Sequence, residues 1–392
     1  MAKQNKIHEP PFHIVKRPAI AGWKSLLIRA IAIIAALGVS SLVLLILTKK
    51  SPLEAMKLVY EASFGVYNKS LDKGFFAQIF TGRKFWAMLQ ELCMLLVIAL
   101  AVTPAFKMKY WNLGAQGQVL FGGLCSVAVM FYLNSGFWEA YKWLVIVLML
   151  IAAVVGGVIW AVIPALFKAR WNTNESLFTL MMNYIAIQLV SCMINVWVPN
   201  GSQVMGVVNQ NSKIGWMPAM VFPDAWGMHP SAKNYFFNIL IVLCLTVVMF
   251  VYLRYSKHGY ELSVVGESVN TANYIGINVK KVIIRTLVFS GLLCGVSGFL
   301  LVSGTDHSIT TGLDRGYGFT AIIVAWLAKF NPLMMILTSF LIVFLGKGAS
   351  DIAMNMGFNE SVGDIITGII IFFIIGCEFF INYRIVKTHR EG

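Results

Sequence analysis

Acidic side chains are scarce in this sequence: 17 Asp and Glu stand against 31 Lys and Arg, and only 12% of the 392 residues carry charge. With 58% hydrophobic residues and a mean hydropathy of +0.75, too few polar side chains remain to coat a water-facing surface. That excludes a soluble globular domain. Cysteine is sparse as well. Cys93, Cys125, Cys192, Cys244, Cys294 and Cys377 lie inside apolar runs with no CxxC pair, which argues for small buried hydrophobes and against a thiol or metal centre. The histidines are scattered, no HExxH or GxSxG pattern occurs, and Gly346-Lys347-Gly348-Ala349-Ser350 lacks the strand and spacing of a nucleotide loop. The expectation is a chain with no catalytic residue, no metal and no cofactor of its own. Its basic excess falls in short clusters between apolar runs, as topology signals do, and not in a stripe that would bind nucleic acid.

What the sequence does hold is a succession of apolar runs, at about residues 25–47, 85–106, 113–133, 143–167, 176–198, 235–253, 286–304, 318–330, 332–347 and 364–383. Most are near the roughly 20 residues that cross a bilayer as helix, and the eighth is short. The predicted fold class is therefore all-α, a polytopic membrane protein of about ten transmembrane helices. Residues 1–24 form an N-terminal segment, 25–385 one transmembrane domain, and 386–392 a tail. An amphipathic segment is expected around Pro52 to Phe64.

Placing the amino terminus in the cytoplasm puts Lys107/Lys109, Lys168/Arg170, Arg254/Lys257, Lys280/Lys281/Arg285, Lys329 and Arg384/Lys387/Arg390 all on the cytoplasmic side, as the positive-inside bias requires. Both termini are then cytoplasmic, and Pro199 to Asn234 form an outer loop. That loop either covers the membrane surface or meets a partner there.

Each half of the chain has one span opened by glycines: Asn112-Leu113-Gly114-Ala115-Gln116-Gly117-Gln118 and Arg315-Gly316-Tyr317-Gly318-Phe319. The predicted topology has the first entering from the cytoplasm and the second from outside. That is the arrangement of two inverted half-repeats, about 85–198 and 286–383, with interrupted helices aimed at a central pathway. Amides at membrane depth pair with a polar solute or join helices. Asn112, Gln116, Gln118 and Asn183 are the candidate pathway residues, with Asn112 and Gln116 on one face if the helix is regular there. Gly291 with Gly295 and Ala152 with Gly156 read as close-packing pairs. Asp306, His307, Asp314 and Arg315 gather before the eighth span, where an outer-boundary position favours solvation.

His258 to Arg285 is the one long polar island in the later half of the chain. Gly266 and Gly276 bracket a short predicted helix, Ser268 is a fitting N-cap, and Val269, Ala272 and Ile275 recur at three-residue steps. These six residues are the candidate docking surface for a partner.

The segments WNLGAQGQVLFGG, TNESLFTLMMNYIA, HGYELSVVGESVNTANYIGINVKK and GYGFTAIIVAWLAKFNPL, in that order, resemble the membrane permease subunits of bacterial ABC importers. The resemblance covers about residues 85–385 and points to the branched-chain amino acid and ribose permease superfamily, nearest its nucleoside and simple-sugar branch. Gln116 stands where the family pattern usually has an acid, and Thr271-Ala272 where it has an alanine pair. The resemblance implies a non-catalytic subunit in a bacterial cytoplasmic membrane. Its partners would be a second permease, a cytoplasmic ATPase carrying ATP and magnesium, and an extracytoplasmic substrate-binding lipoprotein. A nucleoside is the expected solute, with ribose, simple sugars or branched-chain amino acids as alternatives. An ion-coupled secondary transporter would share the repeat, and gradient-driven transport without an ATPase would identify it.

Overall fold

The computed structural model describes residues 12–17, several positions between 24 and 42, and residues 82–198, 205–220, 230–355 and 360–387. The chain divides into two compact units, 64–343 and a second made of 1–63 with 344–392.

Among the described residues seven helices are long and apolar enough to cross a membrane. They are α1 (Arg83–Lys107), α2 (Ala115–Tyr132), α4 (Lys142–Trp171), α5 (Glu175–Trp197), α6 (Pro230–Tyr255), α9 (Val279–Leu301) and α11 (Pro332–Asn355). Two more, α10 (Tyr317–Leu327) and α12 (Glu360–Asn382), have shorter apolar stretches. The remaining helices are short and polar or interfacial: α3 (Phe137–Ala140), α7 (Lys257–Glu267) and α8 (Val269–Tyr274). The protein is a polytopic, predominantly helical membrane protein, and these nine apolar helices coincide with the second to tenth predicted runs. The first run, 25–47, lies largely outside the described residues, and the Pro52–Phe64 segment lies wholly outside them.

Local signals set the helix ends. Asn174, Ser256, Ser268 and Asn278 each accept a backbone N–H with the side chain at a helix start, while Asn172 closes α4 in the left-handed conformation.

In the unit 64–343, α1 and α9 are the interior pair. About 78% of the apolar stretch of α1 and 83% of that of α9, taken through its π-helical end to Asp306, is buried, against 28–33% for α4, α5 and α6. The latter turn most of their surface outward, as helices facing lipid do. α9 packs on α2, and α1 packs in turn on α10.

Small residues let α9 approach its neighbours. A Cβ on Gly157 would sit 2.3 Å from the carbonyl oxygen of Gly291, and one on Gly295 would sit 2.3 Å from that of Ala153. The seam facing α9 is therefore Ala153 and Gly157. Gly156 instead meets Cys125 of α2, because a helix turns 100° per residue and the seam is one position later. Of the six cysteines, Cys93, Cys294 and Cys377 are buried, but Cys192 and Cys244 are exposed, which corrects the uniform reading of buried hydrophobes.

The second unit adds an element that helical periodicity does not reveal. Phe12–Lys16 (β1) pairs antiparallel with Tyr383–Lys387 (β2), Phe12 opposite Lys387 and Lys16 opposite Tyr383. The two segments thus form a two-stranded antiparallel sheet, and β2 spans the boundary expected between the transmembrane domain and the tail.

The α4–α9 seam predicts that Gly295→Val destabilises the protein by about 1–3 kcal/mol or more through overpacking. Gly368→Val, where nothing lies within 4 Å of the new Cβ, is expected to stay within about 0.5 kcal/mol. Thermal melts of the two purified variants in detergent check the contrast.

Candidate functional site

The centre of the unit 64–343 is a pair of helix starts. α2 begins at Ala115 after Gly114, and α10 begins at Tyr317 after Gly316, which is left-handed at φ 73°. The first turns abut: a Cβ on Gly318 would lie 2.9 Å from both the backbone nitrogen and the Cβ of Gln116. Each residue is the second of its helix. Two amino termini facing one another bring together two positive dipole ends and their unpaired N–H groups. Asp314, almost fully buried, supplies the opposing charge. One carboxylate oxygen accepts from Gln116 Nε2 at 3.1 Å and the other from the Gly318 N–H at 3.4 Å.

The remaining backbone groups of the α2 break are held by α5. Asn183 Nδ2 donates to the Leu113 carbonyl at 2.8 Å, and its Oδ1 accepts from the Gly117 N–H at 2.9 Å. Thr179 Oγ1, one turn earlier on the same face, accepts from the Leu113 N–H at 3.2 Å. Gly117 has no room for a side chain, since a Cβ would lie 2.8 Å from Trp160 Nε1 and 2.9 Å from Asn183 Oδ1.

Asn112 precedes the helix and does not share a helical face with Gln116, correcting the regular-helix expectation. Its Oδ1 accepts from the Gly114 N–H and from Gln118 Nε2, and its Nδ2 donates to Ser290 Oγ of α9. Asn112, Gln118 and Asn183 are all buried. Of the four candidate pathway residues, Gln116 alone is partly exposed.

The charged residues before α10 are not simply solvated. Arg315 reaches Glu91 of α1 at 3.3 Å and Asp306 at 2.6 Å, and the Tyr317 hydroxyl donates to Glu91 at 3.2 Å. Gln90 Nε2 donates to Thr305 Oγ1 at 2.6 Å. This network ties α1 to the π-helical end of α9 (Val302–Asp306) and to the start of α10. Of the residues that sequence places at an outer boundary, Asp314 is thus enclosed by neighbouring helices, while Arg315 is ion-paired but exposed.

Residues 205–217 of the long loop fold onto the same end of the bundle. The Val208 N–H donates to the His307 carbonyl, the Met217 N–H to that of Ser303, and Trp216 stacks on His307 with ring centres 3.7 Å apart. This part of the loop packs on its own chain; residues 199–204 and 221–229 lie outside the described residues.

The docking segment forms two helices. Gly266 lies inside α7 and does not punctuate the short helix. A Cβ there would be 2.3 Å from the Lys107 carbonyl oxygen, so the glycine lets α7 press on the end of α1. Ser268 Oγ caps α8 through the Thr271 N–H at 3.2 Å, and Gly276 follows at φ 84°. Ala272 is fully buried, whereas Val269 and Ile275 are about half exposed. The three do not form one outward face; Ala272 fixes α8 to the body and the other two flank it. Tyr274 is 92% exposed, and sequence reading had passed it over. Beside it lies a cleft of about 580 Å³ lined by Lys168, Asn172, Val269, Asn273, Gly276 and Lys280 among others.

These features extend over a stretch that a single family model recognises. Residues 87–375 match the branched-chain amino acid transport system permease component. The chain belongs to that family. Its relatives include the guanosine ABC transporter permease protein NupP of Bacillus subtilis, 27% identical over 78% of this chain and 84% of the relative. The glucose ABC transporter permease protein TsgB13 of Haloferax volcanii is 26% identical over 76% and 78%. The nucleoside ABC transporter permease protein NupB of Lactococcus lactis is 25% identical over 80% and 85%. The protein is a multi-pass permease subunit of an ABC importer.

Within this permease, Asp314, Thr179, Glu91 and Arg315 matter to the break as much as the four amides do. Sequence offered a signal for two of them: Thr179 and Asn183 stand four apart in one helix, and Asp314 lies just before the Gly316 helix start.

At the docking segment, His258 of α7 bonds through Nδ1 to the Tyr252 hydroxyl and through Nε2 to Thr286 Oγ1 at 3.3 Å. Thr286 donates its own hydrogen to the Val282 carbonyl at 2.6 Å, so the Nε2–H donates to Thr286, and Nδ1 accepts from Tyr252. Burial, with the Arg285 charge second, pushes His258 from its ordinary 6.5 down to about 4.

Two outcomes follow for the permease. Asn183→Leu leaves the Gly117 N–H and Leu113 carbonyl unpaired and is expected to cost about 2–6 kcal/mol, at 1–3 per buried orphan, read as a fall in Tm. Because the folded protein resists protonating His258, that contribution to stability is complete above about pH 6.5 and is lost as pH falls toward 4. The wild-type Tm is expected to fall more steeply over that window than the Tm of His258→Gln.

Proposed function

We propose that this permease forms half of the translocation path for a nucleoside, with a second permease as the other half and a separate ATPase as the motor. The observation that carries the path is the abutment of the α2 and α10 starts. A polar break at the centre of an apolar bundle is where a solute with hydroxyls and ring nitrogens finds hydrogen-bonding groups at membrane depth. Gln116 offers its partly exposed amide there. Asn112, Gln118 and Asn183 serve the path from behind by fixing the shape of the break. Two of the three relatives above carry guanosine or nucleoside in their names, which favours a nucleoside; the glucose relative keeps a simple sugar as the second reading.

The subunit catalyses nothing. ATP and magnesium bind the partner ATPase, an extracytoplasmic binding lipoprotein delivers the solute, and both termini lie in the cytoplasm of a bacterial inner membrane. On that side α8 is the contact for the motor. Ser268 and Gly276 set its limits, Ala272 and Gly266 anchor it and α7 to the bundle, and Val269, Tyr274 and Ile275 present apolar surface outward. A push on Tyr274 is carried through Ala272 and α9 to the interior pair, and the half-repeats shift as rigid bodies to open the break to one side or the other.

Reconstitution with the partner subunits in liposomes tests this. Tyr274→Ala is expected to lower nucleoside-stimulated ATP hydrolysis at least tenfold while the variant inserts and melts as wild type; full stimulation would remove α8 from the coupling route. In the same liposomes, unlabelled uridine or guanosine should compete with labelled nucleoside and glucose should not. Uptake that needs no ATPase and follows a proton or sodium gradient would replace the importer mechanism with an ion-coupled one.

A further inference from the structure

Away from the break, the ends of α1 and α10 enclose a pocket of about 410 Å³ lined by Phe106, Lys109, Trp111, Trp326, Lys329 and Phe330. Its two sides are built by the same turn. After α1, the Lys109 N–H donates to Phe106 O and the Tyr110 N–H to Ala105 O; after α10, the Lys329 N–H donates to Trp326 O and the Phe330 N–H to Ala325 O, every bond 2.9 Å. In both turns the lysine occupies the left-handed position, φ 60° at Lys109 and φ 50° at Lys329. That position normally takes glycine, and a side chain there is strained. Two lysines retained at two strained, matching positions point to a use for the ammonium groups.

Their chemistry narrows the occupant. Both lysines are exposed, and neither is within ion-pair distance of an acid among the described residues. Each sits just beyond an apolar helix that crosses or enters the membrane, the level at which lipid headgroups lie. The walls between them are aromatic: Trp111 and Trp326 pack with ring centres 5.4 Å apart, and Phe106 meets Trp111 edge to face at 5.7 Å. Trp326 and Phe319, seven residues apart on α10, are both about half exposed and continue an apolar face along that helix.

We propose that this pocket binds an anionic phospholipid, with the phosphate between Lys109 and Lys329 and an acyl chain along Trp326 and Phe319. A small soluble anion would leave the aromatic walls without a partner. A second copy of this chain meeting the pocket about a two-fold axis would bring four ammonium groups together with no acid to offset them. The lysine positions also fall on the side that the Lys/Arg bias assigns to the cytoplasm, where anionic lipid attracts basic clusters.

Native mass spectrometry of the full chain in neutral detergent, titrated with phosphatidylglycerol or phosphatidylcholine, tests the proposal. Wild type is expected to retain phosphatidylglycerol roughly tenfold better. Lys109→Gly with Lys329→Gly places glycine where the backbone favours it, so the variant keeps its fold, confirmed by gel filtration and Tm, and should lose the preference. Arg254→Gln with Lys257→Gln removes equal charge elsewhere and should keep it. Four results would overturn the site: equal retention of both lipids by wild type, an unchanged preference in the glycine variant, an equal loss in the control, or displacement of phosphatidylglycerol by millimolar inorganic phosphate. A change from dimer to monomer mass in the glycine variant, with its lipid preference intact, would reassign the pocket to a protein contact.

Discussion

Two helices that start inside a membrane protein, amino end to amino end, face an electrostatic problem that the rest of this fold is arranged to solve. Each start leaves up to four N–H groups without helical partners, and the two positive ends oppose one another. In a bilayer no water relieves either cost. Asp314 answers the charge by accepting from Gln116 Nε2 and the Gly318 N–H together. Asn112, Thr179 and Asn183 answer the unpaired backbone at Leu113, Gly114 and Gly117. The arrangement is possible only because glycine stands at 117 and 318, where a Cβ would collide within 3 Å of a neighbour.

The same economy of space governs the layers around the break. α1 and α9 are enclosed, so the helices that cover them must come close enough to leave no void, and in an apolar solvent that closeness supplies the association energy. Gly157, Gly291, Gly295 and Ala153 bring the α4 and α9 backbones into contact. Polar pairing then fixes the register at the other end, where Arg315 joins Glu91 and Asp306. A seam of small residues holds α4 to α9, and a charged clasp ties α1 to the far end of α9.

Much of this was legible in the sequence, and what was missed has physical reasons. Nine apolar runs became nine helices because bilayer thickness makes length and hydropathy sufficient evidence. Gly114 and Gly316 marked real helix starts, Gly316 because its left-handed turn disfavours other residues and Gly114 because a Cβ there would crowd Thr179 at 3.1 Å. Asp314 was misjudged because hydropathy counts a carboxylate as a boundary signal and does not register that two helix starts can enclose it. Asn112 was put on the wrong face because a regular helix was assumed across the break. Gly266 was read as punctuation because a packing glycine and a helix-ending glycine look alike until the neighbouring Lys107 carbonyl is placed. The pairing of Phe12–Lys16 with Tyr383–Lys387 depends on contacts between the two ends of the chain, which no local window samples.

The burial of three of the four candidate pathway amides bears on how specificity is divided. A side chain whose donors and acceptors already hold backbone in place cannot turn to a solute without releasing the break, at a cost above what one hydrogen bond to the solute returns. Asn112 and Asn183, each bonded on both atoms of the amide, are therefore committed to architecture. Gln116 spends Nε2 on Asp314 and stands partly exposed, so its Oε1 remains the group best placed to accept from a passing hydroxyl. A weakly committed and partly exposed amide fits a translocation path better than a tight binding site, since a permease must release its solute on every cycle.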